Sequence, residues 1–431
     1  MAAAFKARAG KNSFPPTPFL FARPSVQFGA RSAPSVLLKK GSDFVKQTHQ
    51  MKVLAIETSC DETGIALVEG TKTESGFVFE TKKAALLSQA LLHSPYGGVY
   101  PNLAKREHQK NLPALFDQFK DEKYDAIAVT HGPGLEPALW TGIEFAKKLA
   151  AEKNLPLLPT NHMEGHFISS LAQPEINHSS FLQKAVIEKV QMPVLALLVS
   201  GGHTELVLMK EWFKYEIVGK TLDDAVGECF DKVARMLGLP YPGGPEISKL
   251  AEKNRKEKGS KENSFRLPRP MLNSGTCDFS FSGLKTAALY ALRDLEKSRT
   301  ESRSDLKPGL PRSDLPKVSP LTPDETAAFA AELEDAIAEV LVSKTRKALW
   351  DTGAQTFIIG GGVAANRYLR ERLEALVLEE FPDVELRLPE LYITGDNAIM
   401  IAQAALARAL SGINDAASPD LRAVGNLSIA S

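Results

Sequence analysis

Cysteine is scarce in this 431-residue sequence, which contains only Cys60, Cys229 and Cys277. Three scattered thiols exclude a disulfide framework or a zinc ribbon and suit a reducing compartment. Long apolar runs are also missing, and none approaches the ~20 residues that a membrane-spanning helix needs. The formal net charge is zero, so no global attraction to nucleic acid is indicated, although a local basic groove could still bind RNA.

Acidic residues are almost absent from the first fifty positions, where Asp43 stands among eight lysines and arginines. A basic, acid-poor stretch containing Ser, Ala and Pro is typical of an organelle transit peptide, and it lacks the apolar centre of a secretory signal. The alternative is a disordered basic tail without a targeting role. We therefore expect residues 1–50 to lie outside the fold and the protein to reside in the mitochondrial matrix.

Two apolar hairpin patterns lie about 140 residues apart, at 52–68 and at 194–209. Each has two β-prone halves around a tight turn, which is hydroxyl-rich in the first copy and built on glycine in the second. This duplication, within a chain that alternates helix and strand patterns, predicts an α/β protein with two lobes.

The remaining patterns suggest where these lobes begin and end. We expect a first lobe at 51–190, completed by a C-terminal helical segment at 396–431, and a second lobe at 191–395. Residues 297–323 are rich in Ser, Pro, Arg and Lys without periodicity, which predicts a disordered insertion. Further strands are predicted at 124–129, 155–158 and 356–359. Four helices are predicted at 222–237, 280–296, 324–350 and 397–410. Another predicted helix ends near Lys153, and one begins at about His162.

Two histidines, His162 and His166, are four residues apart in a predicted helix, so both imidazoles lie on one face. Such a pair can bind a divalent metal. Glu164 falls on another side of the helix, which argues against the HExxH arrangement of a zinc peptidase. By spacing alone, two packed or exposed histidines without a metal are the more common case.

A metal needs at least a third ligand, and Asp396 is a candidate because it lies between a predicted strand and a helix. An Asp at this position is also a favoured helix N-cap, a role that Thr394 could share. The sequence alone does not bring Asp396 to the histidines.

Three turns could contact an anionic ligand: the segments 58–63, 200–204 and 360–362. Glycine backbones allow close approach of phosphate oxygens, and a helix N-terminus favours anions. Each turn alone is more often only a turn, but three of them in two lobes favour a nucleotide in a cleft between the lobes. Near the first turn, Glu57, Asp61 and Glu62 could act as bases or support a metal ligand, and Asp231 could bind a ribose or pair with Lys232.

Seven segments together resemble one family: IETSCDETGIAL, NHMEGH, LLVSGGHTEL, TLDDAVGECFDKVARMLGLPYPGG, FSFSGLKT, GGGVAANRYLR and ITGDNAIMIA. They occur in family order between about residues 52 and 405. They resemble the tRNA N6-adenosine threonylcarbamoyltransferases of the TsaD family, mitochondrial type, within the actin/Hsp70/sugar-kinase superfamily. The resemblance covers most of the chain outside the N-terminal extension and the insertion.

The resemblance implies a site and a reaction. It implies that His162, His166 and Asp396 hold one divalent metal ion, which by ligand type is Zn, Fe or Mn. From the carboxylate cluster near the first turn, we expect Glu57 and Asp61 to be catalytic. The residues implied to bind an acyl-adenylate are Leu198, Val199, Ser200, Gly201, Gly202, Asp231, Gly244 and Asn366. One position departs from the family pattern, because Ser248 stands where many relatives carry an acid.

The implied reaction transfers threonylcarbamoyl from threonylcarbamoyl-AMP, made by a separate synthase, to N6 of adenosine 37. The implied substrates are tRNAs that read codons beginning with A, presented through the anticodon loop, and mitochondrial relatives imply a homodimer. Three alternatives remain from the residues themselves: a sugar kinase or ATPase of the same superfamily, a metallopeptidase, and a non-catalytic nucleotide-binding scaffold.

Overall fold

Two mixed β-sheets organise the computed structural model, which describes residues 50–175, 184–258, 265–301, 321–413 and 420–430. The first sheet has seven strands in the order β5-β4-β1-β2-β3-β7-β6, and the second has five in the order β10-β9-β8-β11-β12. The strands are β1 (Gln50–Glu57), β2 (Glu62–Lys72), β3 (Gly76–Ser88), β4 (Ala126–Gly132), β5 (Leu157–Asn161), β6 (Gln173–Pro174), β7 (Lys184–Glu188), β8 (Val194–Val199), β9 (Thr204–Glu211), β10 (Lys214–Lys220), β11 (Thr356–Gly360) and β12 (Glu385–Arg387).

The two sheets share one topology. In the first, β1, β2 and β3 form an antiparallel meander, and β4 and β5 continue in parallel from β1. In the second, β8, β9 and β10 form the meander, and β11 and β12 continue in parallel from β8. The predicted hairpins therefore begin equivalent sheets, which confirms the duplicated α/β architecture.

Helices cover these sheets. They are α1 (Ala90–His93), α2 (Pro101–Phe116), α3 (Glu136–Lys153), α4 (His162–Leu171), α5 (Val226–Met236), α6 (Gly243–Lys258), α7 (Ser282–Glu301), α8 (Pro323–Thr352), α9 (Arg367–Glu380) and α10 (Ala398–Leu410). Local chemistry sets their ends. At the start of α8, Thr322 and Glu325 form a reciprocal capping box, and Gly353 ends the helix in a left-handed conformation.

Several predicted boundaries need correction. The insertion predicted at 297–323 is too wide, because α7 continues to Glu301 and α8 begins at Pro323. The helical segment predicted at 396–431 ends at Leu410. The helix predicted from residue 222 begins at Val226, and β5 continues through Pro159 to Asn161.

Other parts of the predicted organisation are not tested. The transit segment 1–50, except for Gln50, and residues 302–320 of the insertion lie outside the described residues, and the lobe boundaries stay predictions. Among the residues that the structure describes, no helix has the length and apolar character to cross a membrane.

The hydrophobic core that joins the two sheets positions the site. It includes Val53 and Ala55 from the first sheet and Ala196 and Leu198 from the second. Helices α4 and α10 contribute side chains to the same cluster and contact each other. Every residue of α4 is buried, so polar groups on this helix need partners, and it is here that His162 and His166 lie.

Candidate metal and acyl-donor site

Helix α4 places His162 and His166 side by side, as their spacing predicted. The ring centroids are 4.8 Å apart and the ring planes are nearly perpendicular. Asn161 precedes the helix and accepts hydrogen bonds from the N–H groups of Met163 and Glu164, which fixes the first turn. Glu164 lies on another side, where it pairs with Arg408. A zincin-type base is therefore absent from this pair.

Asp396 reaches the histidines from the loop before α10. Its Oδ1 lies 3.4 Å from Nε2 of His162 and 3.1 Å from Nε2 of His166. The helix cap is supplied by the next residue, Asn397, whose side chain accepts from the N–H of Met400. The alternative reading of Asp396 as the N-cap is therefore wrong, and its carboxylate is available to a ligand.

These three side chains suit a divalent metal. One donor atom from each lies within 4.8 Å of the others, and two imidazoles with one carboxylate are a donor set that Zn, Fe and Mn accept. The histidine side chains are only 6% and 1% exposed, whereas that of Asp396 is 20% exposed. A bound ion would therefore meet solvent and substrate on the Asp396 side.

Glu57 contacts Nδ1 of His162, the ring nitrogen that does not face Asp396. Its Oε2 accepts from Thr130 Oγ1 at 2.6 Å and lies 3.1 Å from Nδ1 of His162, while its Oε1 accepts from the N–H of Ser59. Ser59 Oγ is also 3.1 Å from the same Nδ1. A carboxylate at Nδ1 leaves Nε2 to face a metal, which is how outer ligands commonly orient a metal-binding histidine. Both oxygens of Glu57 are thus engaged.

The electrostatics favour a cation between these groups. Burial opposes protonation of His162, but the charges of Asp396 and Glu57 outweigh it and hold the pKa of His162 well above its usual value. Burial lowers the pKa of His166, so that ring is neutral. The pair of carboxylates therefore stabilises positive charge here, as a metal site requires.

The turn of the second hairpin lies beside this triad. Burial, together with the nearby His162 and His166, lowers the pKa of His203 to about 4. A Cβ on Gly201 or Gly202 would meet no atom within 4 Å, so a ligand can approach the backbone of both residues. The predicted segment from Leu198 to Gly202 therefore runs from the end of β8 into the cleft.

Gly361 allows the other glycine turn to pack against the same strand. Its φ is +89°, and a Cβ there would lie 2.3 Å from the carbonyl oxygen of Val199. Only glycine fits such a close approach in a left-handed conformation. The segment 360–362 thus lies against the end of β8.

Asp231 and Gly244 lie next to each other. Asp231 Oδ1 accepts from the N–H of Gly243 at 2.7 Å, at the start of α6. Burial raises the pKa of Asp231, and hydrogen bonds from the Gly243 and Gly244 N–H groups partly offset that effect. Asp231 also lines a cavity with Tyr241 and residues 94–97. The predicted pairing of Asp231 with Lys232 is not seen among the described contacts, because Lys232 pairs with Asp224 and Glu228.

Known proteins match this chain over most of its length. The family model described as TsaD, tRNA N6-adenosine threonylcarbamoyltransferase, matches residues 81–403. A protein of that name from Thermosipho africanus is 40% identical over 386 residues, covering 88% of this chain and 100% of its own. Another from Fervidobacterium nodosum is 41% identical over 372 residues, covering 85% of this chain and 95% of its own.

The chain belongs to the TsaD family. This confirms the predicted transferase class and the actin/Hsp70/sugar-kinase-like fold with two duplicated lobes. A crystal structure of full-length HypF in the phosphate- and nucleotide-bound form matches with a TM-score of 0.47 and 14% identity. The match covers 87% of this chain and 48% of that one.

Asn366, which the resemblance placed on the adenylate, contacts Ser248 and Glu334. Its Nδ2 donates to Ser248 Oγ at 2.9 Å and to Glu334 Oε1 at 2.7 Å, while its Oδ1 caps α9 at Leu369. Glu334, which lies on α8 and is buried, therefore brings a carboxylate to the amide of Asn366 beside Ser248. Arg255 neutralises Glu334 through a 2.6 Å ion pair.

Asp61 lies in the turn between β1 and β2 and is 6% exposed. Burial, with the nearby charges of Asp61 and Asp396, raises the pKa of the neighbouring Glu62 to about 9. Glu62 is therefore protonated at neutral pH beside Asp61. Asp61, Glu57 and Asp396 surround one end of the cleft.

Sequence reasoning missed several supporting residues. Ser59 and Thr130 form hydrogen bonds with His162 or with the carboxylate of Glu57. No pattern in the sequence singled out these two residues or Glu334. Their roles depend on contacts between residues 32 to 103 positions apart in the chain. The hydroxyls of the first turn were the one available signal.

Proposed function

We propose that this protein transfers the threonylcarbamoyl group from threonylcarbamoyl-AMP to N6 of adenosine 37 in tRNAs that read codons beginning with A. The N6 nitrogen attacks the carbamoyl carbon and a C–N bond forms. The C–O bond to phosphate breaks, AMP leaves with the electron pair, and N6 loses one proton. Membership of the TsaD family supports the reaction class.

The observation that carries the proposal is the convergence of His162, His166 and Asp396 beside the turn at Gly201 and Gly202. A kinase or ATPase of the same superfamily has no need of such a triad. A metallopeptidase would need a base near the histidines, but Glu164 is engaged with Arg408. The acyl-adenylate would therefore lie between the triad and Asp231.

The protein's own residues would bind and orient this donor. Exposed backbone at Gly201 and Gly202 can approach phosphate oxygens, and Asp231 can accept from ribose hydroxyls. Asn366 is less free, because both of its amide hydrogens are bonded in this structure. It would contact the adenylate only through the remaining lone pair of its oxygen.

Of the two carboxylates predicted to be catalytic, Asp61 is better placed to receive the N6 proton, because both oxygens of Glu57 are occupied. Glu57 instead orients His162. A divalent metal held by His162, His166 and Asp396 would stabilise negative charge that develops on the donor. Zn, Fe and Mn each accept this donor set.

A reconstituted transfer assay tests the proposal. Purified protein, threonylcarbamoyl-AMP and an unmodified tRNA transcript are combined with metal, and digested nucleosides are measured by mass spectrometry. We expect threonylcarbamoyladenosine with adenosine at position 37 and none when that position is guanosine. His162→Ala and Asp396→Asn should lower the rate by at least about a hundredfold, because charge stabilisation by a metal contributes several kcal/mol.

The matched control is Asp121→Asn, which changes the same kind of side chain at an exposed position. It should keep the wild-type rate. Product formation at the wild-type rate by His162→Ala would disprove the metal assignment, and steady ATP hydrolysis without transfer would support the kinase or ATPase reading.

Location and assembly are part of the same proposal. The basic, acid-poor segment 1–50 supports import into mitochondria. Resemblance to mitochondrial relatives supports a homodimer, which receives threonylcarbamoyl-AMP from a separate synthase. Fractionation of cells that express the full chain with a C-terminal tag should place it in the matrix. Recovery in the cytosol alone would reject the location, and a monomeric mass in solution would reject the dimer.

A further inference from the structure

Two tyrosines form a stacked pair on the surface beside the cleft. Tyr96 ends a short 3-10 helix, Ser94–Tyr96, and Tyr100 immediately precedes α2. Their ring centroids are 5.6 Å apart and their planes differ by 21°. The residues are 60% and 50% exposed. Contiguous exposed aromatic surface of this kind is typical of an interaction site.

The pair borders the donor site. A cavity of about 180 Å³ lies between Tyr96 and its neighbours on one side and Asp231, Arg235 and Tyr241 on the other. Arg235 packs so closely that a Cβ on Gly97 would lie 2.7 Å from its Cδ. The tyrosines are therefore next to residues that would bind the acyl-adenylate, on the outer side of that site.

A buried chain of hydrogen bonds holds Tyr100 in place. The N–H of Tyr100 donates to His93 Nδ1 at 3.2 Å, so the proton of His93 is on Nε2 and faces Gln89 Oε1, also at 3.2 Å. Gln89 Nε2 lies 3.3 Å from His108 Nδ1, and His108 Nε2 donates to the Cys60 carbonyl at 3.0 Å.

The side chains of Gln89, His93 and His108, which form this hydrogen-bond network, are at most 1% exposed. Burial lowers the pKa of both histidines, consistent with neutral rings in which Nδ1 accepts and Nε2 donates. The backbone of Tyr100 is therefore connected through buried hydrogen bonds to the turn between β1 and β2.

The segment that carries the tyrosines has an excess of positive charge. Within residues 90–112, Lys105, Arg106 and Lys110 stand against Glu107, which pairs with Arg106 and Lys110. In the cavity, Arg235 balances the charge of Asp231. Aromatic faces with adjacent cations are the combination that binds unpaired nucleotides, through stacking and phosphate contacts.

We propose that Tyr96 and Tyr100 form a stacking platform for an unpaired base of the RNA substrate, next to the adenosine that is modified. This inference rests on the proposed function, because it assigns a position to the same tRNA. The exposed leucines nearby, such as Leu91, could instead suit a second copy of the chain. The stacked geometry, the positive charge and the shared cavity favour RNA.

Substitution of both tyrosines by leucine distinguishes RNA from a second copy of the chain as the ligand of this surface. Tyr96→Leu/Tyr100→Leu keeps an apolar surface but removes the aromatic faces, and Tyr96→Phe/Tyr100→Phe keeps the faces. Binding of a fluorescent anticodon stem-loop RNA is measured by anisotropy at fixed salt. We expect the leucine variant to bind about tenfold or more weakly and the phenylalanine variant to bind within about twofold of wild type.

Tyr290→Leu is the matched control, because Tyr290 is similarly exposed at 57% on α7, and it should leave RNA affinity unchanged. Circular dichroism and Tm confirm that each variant is folded. Wild-type RNA affinity in the leucine variant would overturn the platform. A change of oligomeric state in the leucine variant, measured by ultracentrifugation, would also overturn it and identify a self-interface.

The transfer assay keeps this inference separate from the proposed function. If the wild-type protein makes threonylcarbamoyladenosine and the leucine variant binds RNA normally, only the platform fails. If the wild-type protein binds the stem-loop through the tyrosines but transfers nothing, the platform stands as an RNA site and the proposed transfer fails.

Discussion

Asp396 and Asn397 are adjacent in the chain, yet their side chains have different tasks. Asn397 caps α10 through the Met400 N–H, and Asp396 faces two histidines. Both residue types are good caps, so the sequence alone favoured a structural role for Asp396. The cap on the following residue is what makes this carboxylate available.

Stability measurements can separate these two tasks. Asn397→Ala should lower the free energy of unfolding by about 1 kcal/mol, the usual cost of a lost cap, with or without metal. Asp396→Asn should abolish the rise in Tm that added metal produces in the wild-type protein, because a ligand that binds only the folded state stabilises it.

The measurement is differential scanning fluorimetry with and without Zn, Fe or Mn. Asn397→Ala serves as the control, since it should retain the metal-dependent rise. A metal-dependent rise of wild-type size in Asp396→Asn would contradict the assignment of this residue as a ligand.

At the scale of elements, α2 is connected to the β1–β2 turn through His108. This buried ring lies 2.8 Å from Thr63 Oγ1 and donates to the Cys60 carbonyl. The chain of hydrogen bonds continues through Gln89 to the start of α2. The surface helix α2 and the turn that holds Asp61 therefore share one polar contact network, which is favourable only while His108 is neutral.

Acid should weaken this connection. Burial lowers the pKa of His108 in the folded protein, although Glu57 and Asp61 act in the opposite direction. Between that lowered pKa and the unfolded value of about 6.5, the unfolded chain binds more protons. The contribution of His108 is therefore complete above about pH 6.5 and is lost as the pH falls toward the folded pKa.

Urea unfolding at several pH values between 7.5 and 5 checks this expectation. His108→Gln, which keeps a hydrogen-bonding side chain but does not titrate, should lose less stability than the wild type over that range. Equal losses in the two proteins would show that His108 does not contribute to the acid sensitivity.

At the scale of the whole molecule, Arg387 joins the two sheets. It lies on β12 of the second sheet and is only 6% exposed. Its guanidinium donates to the Leu171 carbonyl at 3.2 Å, at the end of α4, and to the Glu188 carbonyl at 2.9 Å, on β7 of the first sheet. Glu385 balances its charge at 2.8 Å.

Replacing this side chain should destabilise the fold. Arg387→Met leaves two carbonyls without their charged donor, and we expect a loss of about 2 kcal/mol in the free energy of unfolding. Arg387→Lys keeps the charge but cannot reach both carbonyls with a planar fork, so it should recover only part of that loss. Chemical denaturation measures both, and unchanged stability in Arg387→Met would exclude a bridging role.

The sequence by itself determined the periodic elements and the order of the motifs. Apolar, β-prone runs around tight turns indicated both hairpins, the spacing of His162 and His166 placed them on one helix face, and seven ordered segments indicated the family. These signals are local or follow chain order, so they survive without knowledge of the fold. The end of α7 and the course of the segment after Leu410 were predicted less well, because local composition does not report tertiary packing.

Only the tertiary structure decided which distant residues meet. Asp396 lies 230 residues from His166 in the chain, and Glu57 lies 105 residues from His162. The buried pair of α4 and α10, packed between the two sheets, brings these groups together. Contacts of that kind depend on the docking of whole elements, which no local pattern of residues encodes.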